Sequence, residues 1–155
     1  MGKMKQLWYT KPVEKGQSGK FGMEMREVDI PVPGPGEVVV KTRYAAICAT
    51  DIHMVTMGVL GAKPPRTLGH EASGVIAAMG EKADISGLKV GDKVTFSPVT
   101  HCGVCSMCKN GLAQYCENAF ELAGFSEYII SDISAVHKLP DDADLLAYCI
   151  TEPTT

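Results

Sequence analysis

The sequence lacks several features that mark large classes of proteins. No apolar run reaches the roughly 18 residues that a membrane-spanning helix requires, and no long apolar region follows the basic start at residues 1–6, so a signal peptide is not indicated. With 15 basic and 18 acidic residues, the chain also lacks the positive excess typical of nucleic-acid binders. We therefore expect a cytoplasmic protein with neither a membrane nor a nucleic-acid partner.

The chain also lacks internal repeats, low-complexity segments and any G-x-G-x-x-G motif following a strand. The missing glycine motif excludes a dinucleotide-binding βαβ unit within these residues. What is present is a 155-residue chain that is 45% hydrophobic, which is enough for one domain with its own core and argues against disorder.

Short strands and turn signals dominate the pattern along the chain. Proline and glycine at 31–36 predict a rigid turn before a valine-rich strand. We predict strands at 7–10, 21–30, 37–47, 69–79, 91–99, 125–131 and 135–139. Short helices are expected at 50–57 and from 143 to about 150, and 101–118 is too polar and cysteine-rich for a regular element. This pattern predicts a mainly β protein with a closed or partly open barrel.

Four of the six cysteines form one cluster in the sequence. Cys102, Cys105, Cys108 and Cys116 follow the spacing C-x2-C-x2-C-x7-C. Without a signal peptide, a reducing compartment is expected, where clustered thiols bind metal more often than they form disulfides. Four thiolates suit a closed, tetrahedral structural zinc site. A redox-active C-x-x-C pair would leave two cysteines unexplained, and an iron–sulfur cluster remains an alternative user of four thiolates.

Three further residues outside that cluster offer different ligand types. Cys48 ends a predicted strand, and His70 and Glu71 open another, so the two strands could bring a thiolate, an imidazole and a carboxylate together. Catalytic zinc sites use three protein ligands and leave one position open. On the residues alone, however, Cys48 could equally be a small buried side chain and His70 a hydrogen-bonded core residue.

Motifs in a characteristic order then point to a known family. Residues 48–53 (CATDIH) resemble the Cys-x-Ser/Thr-Asp-x-His motif of zinc-dependent medium-chain dehydrogenases, and residues 69–74 (GHEASG) resemble their Gly-His-Glu-x-x-Gly motif. Residues 90–94 (VGDKV), the four-cysteine spacing and residues 125–128 (FSEY) are similar to further segments of that family. The resemblance covers residues 37–155.

The resemblance implies a fold and a set of site residues. The fold would be a partly open, chaperonin-10-like (GroES-like) β-barrel with a zinc-binding lobe at about 101–118. Cys48 and His70 would be ligands of catalytic zinc, and Glu71 would bind the ion or approach it. Glu152 and Pro153 resemble the Glu-Pro pair of polyol dehydrogenases, which implies that Glu152 contacts the catalytic zinc directly or through its water. Liver-type alcohol dehydrogenases place a cysteine ligand there instead.

The resemblance also implies further roles near that zinc. Thr50 and His53 match the positions of a proton relay, and Asp51 would orient His70 or cap the helix. Cys149 is expected to pack in the last helix.

The implied activity is that of an alcohol or polyol dehydrogenase. Zinc would polarise a small alcohol or polyol substrate while hydride passes to NAD or NADP. Residues 1–155 would form the zinc-binding catalytic domain and a cofactor domain would follow residue 155, so we expect 1–155 alone to be inactive and to self-associate as a homo-oligomer. The alternative is a non-catalytic, zinc-stabilised barrel that serves as an interaction module.

Overall fold

The computed structural model describes residues 2–12, 22–83, 87–102 and 104–151, and most of its regular elements are strands. The strands are β1 (Lys3–Lys11), β2 (Gly22–Asp29), β3 (Glu37–Ala46), β4 (Arg66–Thr67), β5 (Glu71–Met79), β6 (Lys93–Phe96), β7 (Val99–Thr100), β8 (Phe120–Glu121), β9 (Tyr128–Asp132) and β10 (Val136–Lys138). The α-helices are α1 (Ala49–Met57), α2 (Ser106–Lys109) and α3 (Leu145–Tyr148). Short 3-10 turns occupy Val59–Gly61, Ala113–Tyr115 and Ile133–Ala135.

A five-stranded antiparallel sheet forms the centre of the fold. Its strand order is β10-β6-β5-β3-β9, and two register shifts interrupt the β3–β5 pair. The β-branched run Val38–Val40 is buried from end to end, and Val38 and Val40 belong to the same core cluster as Ile76, Val94 and Ile129. Because bulges of this kind increase twist and bend a strand, the sheet curls around its core.

A second sheet, in the order β2-β1-β4, closes against the first. The join is residues 124–127: Leu7 N donates to Phe125 O at 2.9 Å, and Glu127 N donates to Lys5 O at 3.0 Å. β1 thus continues the hydrogen bonding alongside the segment that leads into β9. The result is the partly open β-barrel expected from the sequence.

Helix α1 lies over the second, smaller core. Asp51 caps its first turn by accepting from Cys48 N at 3.0 Å, and Gly58, in the left-handed conformation, ends it by donating to Met54 O. Met54 and Val55 pack with Tyr9 and Leu68, and Tyr9 Oη donates to Val55 O at 3.3 Å. These contacts fix α1, and with it Cys48, against β1.

The differences from the sequence-based prediction have local causes. The strand predicted at 91–99 divides into β6 and β7 around Pro98, which cannot donate a ladder hydrogen bond. The prediction that 101–118 holds no regular element was wrong, because α2 and the turn Ala113–Tyr115 form there. Within the described residues, no helix is both long and apolar enough to cross a membrane.

Candidate metal centres

Strand register brings Cys48, His70 and Glu71 together. Ala46, the last residue of β3, pairs with Glu71, the first residue of β5, so Cys48 just beyond β3 meets His70 just before β5. Each of the three residues offers one ligand atom, and these atoms lie within 4.8 Å of one another. We call this group the Cys48 centre. Thiolate, imidazole and carboxylate are all ligands that zinc accepts.

Asp51 joins the two segments that build the Cys48 centre. It is only 4% exposed, and its Oδ2 accepts from Cys48 N while its Oδ1 accepts from Gly69 N at 3.1 Å. The same Oδ1 lies 3.5 Å from His70 Nδ1. Asp51 therefore is both a helix cap and a partner of His70, and it leaves the Nε2 atom of His70 for another ligand.

The electrostatics of the Cys48 centre favour a positive charge. The hydrogen bond with Asp51 raises the pKa of His70 to about 9, although burial acts in the opposite direction. Glu71 adds a carboxylate that is 5% exposed. Two buried carboxylates, those of Asp51 and Glu71, therefore lie beside the Cys48 and His70 side chains, and the ligand types present fit zinc.

The two residues expected to form a proton relay lie on α1. Thr50 Oγ1 is 3.5 Å from Cys48 Sγ, so its hydroxyl borders the Cys48 centre. His53 lies on the same helix, three residues further on, and is exposed to solvent. Residues three apart share one face of a helix, so the pair extends from the centre toward the surface.

The four-cysteine lobe also gathers its thiols around one point. The ligand atoms of Cys102, Cys105, Cys108 and Cys116 lie within 4.8 Å of one another, with Cys105 Sγ 3.5 Å from Cys108 Sγ and Cys116 Sγ 3.6 Å from Cys102 Sγ. Helix α2 begins immediately after Cys105, which turns the C-x2-C-x2-C segment back on itself. This is the donor set of a structural zinc site.

Hydrogen-bond donors surround Cys102 and stabilise its thiolate form. Backbone N–H groups of Val104 and Cys105, and then the side chain of Asn118, lower the pKa of Cys102 to about 6. Asn118 Nδ2 lies 3.7 Å from Cys102 Sγ. Sequence reasoning missed Asn118, and its position two residues after Cys116 was the only signal available. A stabilised thiolate is the form that binds metal.

Two other cysteine and glutamate predictions have different outcomes. Cys149 is buried at the end of α3, as expected. Glu152 lies outside the described residues, so its place as a ligand remains a prediction from the sequence. Within the described residues, all six cysteines are free thiols.

Comparison with known proteins agrees with this geometry. The family model described as the alcohol dehydrogenase GroES-like domain matches residues 34–141. The chain belongs to this family. Among its relatives, L-threonine 3-dehydrogenase of Pyrococcus furiosus is 34% identical over 89% of this chain and 39% of the relative. Sorbitol dehydrogenase of Halalkalibacterium halodurans is 35% identical over 92% of this chain and 43% of the relative.

A solved structure supports the same membership. A protein from Sinorhizobium meliloti 1021, assigned as a zinc-binding dehydrogenase and bound to NADP, superimposes with a TM-score of 0.80 at 29% identity. The alignment covers 99% of this chain and 43% of that one. The GroES-like chain thus spans about two fifths of the length of the proteins it matches.

Proposed function

We propose that this GroES-like chain is the zinc-binding catalytic domain of an NAD(P)-dependent dehydrogenase that oxidises a secondary alcohol in a polyol or related substrate. The observation that carries the proposal is the meeting of Cys48, His70 and Glu71 beside the Thr50 hydroxyl. A zinc site that served only to stabilise the fold would need neither an open position nor a hydroxyl next to it.

The four-cysteine lobe is proposed to hold a structural zinc ion. Neither α2 nor the turn Ala113–Tyr115 has a buried side chain, so hydrophobic packing contributes little to its stability. Cys102, Cys105, Cys108 and Cys116 would replace that missing core by binding one ion. The role of the lobe is then to hold the loop between β7 and β8 in one conformation.

The Cys48 centre is proposed to hold the catalytic zinc, with Cys48 and His70 as ligands and either Glu71 or Glu152 as the third, so that one position stays open for the substrate hydroxyl. When bound, zinc supplies a Lewis acid that lowers the pKa of the substrate hydroxyl. Asp51 holds His70 in the orientation that presents Nε2. Thr50 would accept the hydroxyl proton, and His53 would pass it to solvent at the exposed end of the helix.

The cofactor and the substrate class are inferred from the relatives. The Sinorhizobium protein binds NADP, and the relatives' names indicate oxidation of threonine at carbon 3 and of sorbitol. We propose that NAD or NADP is bound by a separate cofactor domain and that the substrate carries a secondary hydroxyl.

The proposal includes a cytoplasmic location, in keeping with the free thiols. It also includes self-association through exposed apolar residues near α1, such as Ile47, Ile52 and Met57.

The activity can be tested in the protein that carries this chain. We expect NAD(P)-dependent oxidation of sorbitol, threonine or a related secondary alcohol, and a turnover about 10²–10⁴-fold lower in Thr50→Val, the usual contribution of positioned proton transfer. Thr56→Val is the matched control, because Thr56 Oγ1 bonds Ile52 O on the same helix and is exposed.

Two results would contradict the proposal. If zinc-loaded protein oxidised none of these alcohols with either cofactor, a non-catalytic interaction module would be the better account. If Thr50→Val turned over as fast as Thr56→Val, the relay would be wrong even though the dehydrogenase activity stood.

A further inference from the structure

Two glycines allow two distant segments of the chain to meet backbone to backbone beside His70. Gly69 directly precedes His70, and Gly124 directly precedes Phe125. Gly124 N donates to Gly69 O at 2.7 Å. A Cβ atom on Gly124 would lie 2.8 Å from Gly69 O and 3.0 Å from the carbonyl carbon of Gly69. Hard-sphere repulsion makes such distances unfavourable, so this approach requires glycine at position 124.

The other side of the contact requires glycine as well. Gly69 has a φ of 90°, which glycine adopts without a steric cost. A Cβ atom on Gly69 would lie 2.8 Å from both the backbone nitrogen and the ring Cδ1 of Phe125, so the Phe125 ring packs against the bare Cα of Gly69. Phe125 N also donates to Leu68 O at 3.1 Å. We call Gly124 and Phe125, which contact residues 68 and 69 in this way, the Gly124–Phe125 segment.

The Gly124–Phe125 segment is itself fixed to the rest of the barrel. Phe125 O accepts from Leu7 N of β1 at 2.9 Å. The next residue, Ser126, is 8% exposed, and its Oγ lies 2.6 Å from Ala123 O and 2.9 Å from Tyr128 O. These bonds hold the segment in one conformation between β1 and the residues that lead to His70.

Gly69 is therefore held on both of its peptide groups. Its N–H donates to Asp51 Oδ1 at 3.1 Å, and its carbonyl group, which is bonded to the nitrogen of His70, accepts from Gly124 N. Moving an added Cβ on Gly124 from 2.8 Å to an ordinary 3.4 Å from Gly69 O needs about 0.6 Å of displacement. Even if both segments moved equally, the peptide that begins His70 would shift by about 0.3 Å, more than the roughly 0.2 Å tolerance of metal–ligand distances.

We infer that Gly124 and Phe125 are positioning residues for His70 in the Cys48 centre. They act through direct contacts with Gly69, and neither of them offers a ligand atom. Asp51 fixes the His70 ring, whereas the Gly124–Phe125 segment fixes the backbone from which that ring extends. The inference rests on the proposed function, because it takes the Cys48 centre to be a metal site.

The test uses Co(II) as the probe in the 155-residue chain, with zinc kept in the four-cysteine lobe. Chelator competition measures Co(II) affinity at the Cys48 centre, and visible absorption reports the coordination geometry. We expect Gly124→Ala to bind Co(II) about 10-fold more weakly, the lower end of the effect of outer contacts on a metal site. Its absorption bands should also change, which a loss of stability alone would not cause.

Gly80→Ala is the matched control for a steric overlap elsewhere. Gly80 follows the far end of β5, and a Cβ atom there would overlap the carbonyl oxygen of Gly34. This variant should lower the thermal midpoint of unfolding but leave both the Co(II) affinity and the spectrum unchanged. Circular dichroism of each sample shows whether the chain is folded.

Phe125→Ala tests the same inference without adding an atom. It removes the ring that packs on Gly69, and we expect it to weaken Co(II) binding and to change the spectrum. Phe96→Ala is its control, because Phe96 is 5% exposed in the main core and belongs to a different cluster from Phe125. Phe96→Ala should lower stability and leave Co(II) binding unchanged. This pair decides the question if Gly124→Ala does not fold.

The outcomes are distinct. Wild-type affinity and spectrum in folded Gly124→Ala, or in Phe125→Ala if Gly124→Ala does not fold, would overturn the inference and leave the proposed function intact. Equal weakening by Gly80→Ala and Phe96→Ala would also overturn it, because the effect would follow lost stability. Failure of the wild-type chain to bind Co(II) at the Cys48 centre would overturn the proposed function and the inference with it.

Discussion

Replacing Asp51 with asparagine removes one acceptor from a carboxylate that serves three groups. Its two oxygens accept from Cys48 N and Gly69 N at 3.0 and 3.1 Å, and Oδ1 faces His70 Nδ1 at 3.5 Å. Asparagine has one acceptor oxygen and turns an NH₂ group toward the remaining donor. One buried N–H thus loses its bond to a charged partner, which costs about 1.5–3 kcal/mol.

The same change should weaken metal binding at the Cys48 centre. Loss of the partner of a ligating histidine lowers metal affinity by about 10–100-fold, which corresponds to about 1.4–2.7 kcal/mol. Chelator competition for zinc measures this affinity, and thermal unfolding of the same samples measures stability. We expect Asp51→Asn to weaken the Cys48 centre and to leave the four-cysteine lobe unchanged.

Asp132→Ala is the control for a pure capping effect, because alanine removes the capping oxygen. Asp132 caps the turn Ile133–Ala135 by accepting from Ser134 N at 2.8 Å, far in sequence from the Cys48 centre. It should lower stability without changing zinc affinity. If Asp51→Asn also lost stability but bound zinc as tightly as wild type, Asp51 would be only a helix cap and the reasoning would be refuted.

Two further predictions concern stability. Cys105→Ser should lower the thermal midpoint of unfolding and abolish protection of the lobe's amides from hydrogen exchange, because the lobe has no buried core; unchanged exchange would contradict a structural ion there. Burial raises the pKa of Asp92, but hydrogen bonds from Lys89 and Lys138 outweigh it and lower the pKa to about 2 from the ordinary 3.8. The ionised carboxylate therefore stabilises the fold above about pH 4, and this stabilisation is lost as the pH falls toward 2. Asp92→Asn should be less stable near neutrality and lose less stability over that range, as measured by denaturant titration at each pH; an unchanged pH profile would exclude this role.

Much of the barrel follows from local sequence signals. The valine run at 38–40 and the turn before it predict β3 closely, because β-branched residues in a continuous run suit a strand buried on both sides. Strand β1 begins at Lys3, four residues earlier than predicted. The start of β1 was not predicted because the lysines at 3 and 5 interrupt the apolar pattern. They lie on an exposed face of the strand, while their backbone pairs with β2.

Pairing between distant segments is what the sequence does not specify. The order β10-β6-β5-β3-β9 joins strands far apart in the chain, and single-sequence patterns carry no information on such pairs. The four-cysteine spacing predicted its cluster because the ligands are neighbours. Prediction of the Cys48 centre instead required the family resemblance, because residues 48 and 70 are brought together only by the register between β3 and β5.

The direct test of the central claim is the number of zinc ions bound by each variant, measured by native mass spectrometry of the 155-residue chain. We predict two zinc ions in the wild type and one in His70→Ala, with the remaining ion resisting chelators because the four-cysteine lobe has no open position. Cys105→Ser should instead lose the ion of the lobe and keep that of the Cys48 centre. A wild-type chain that binds no zinc, or equal loss of both ions from either variant, would contradict the account.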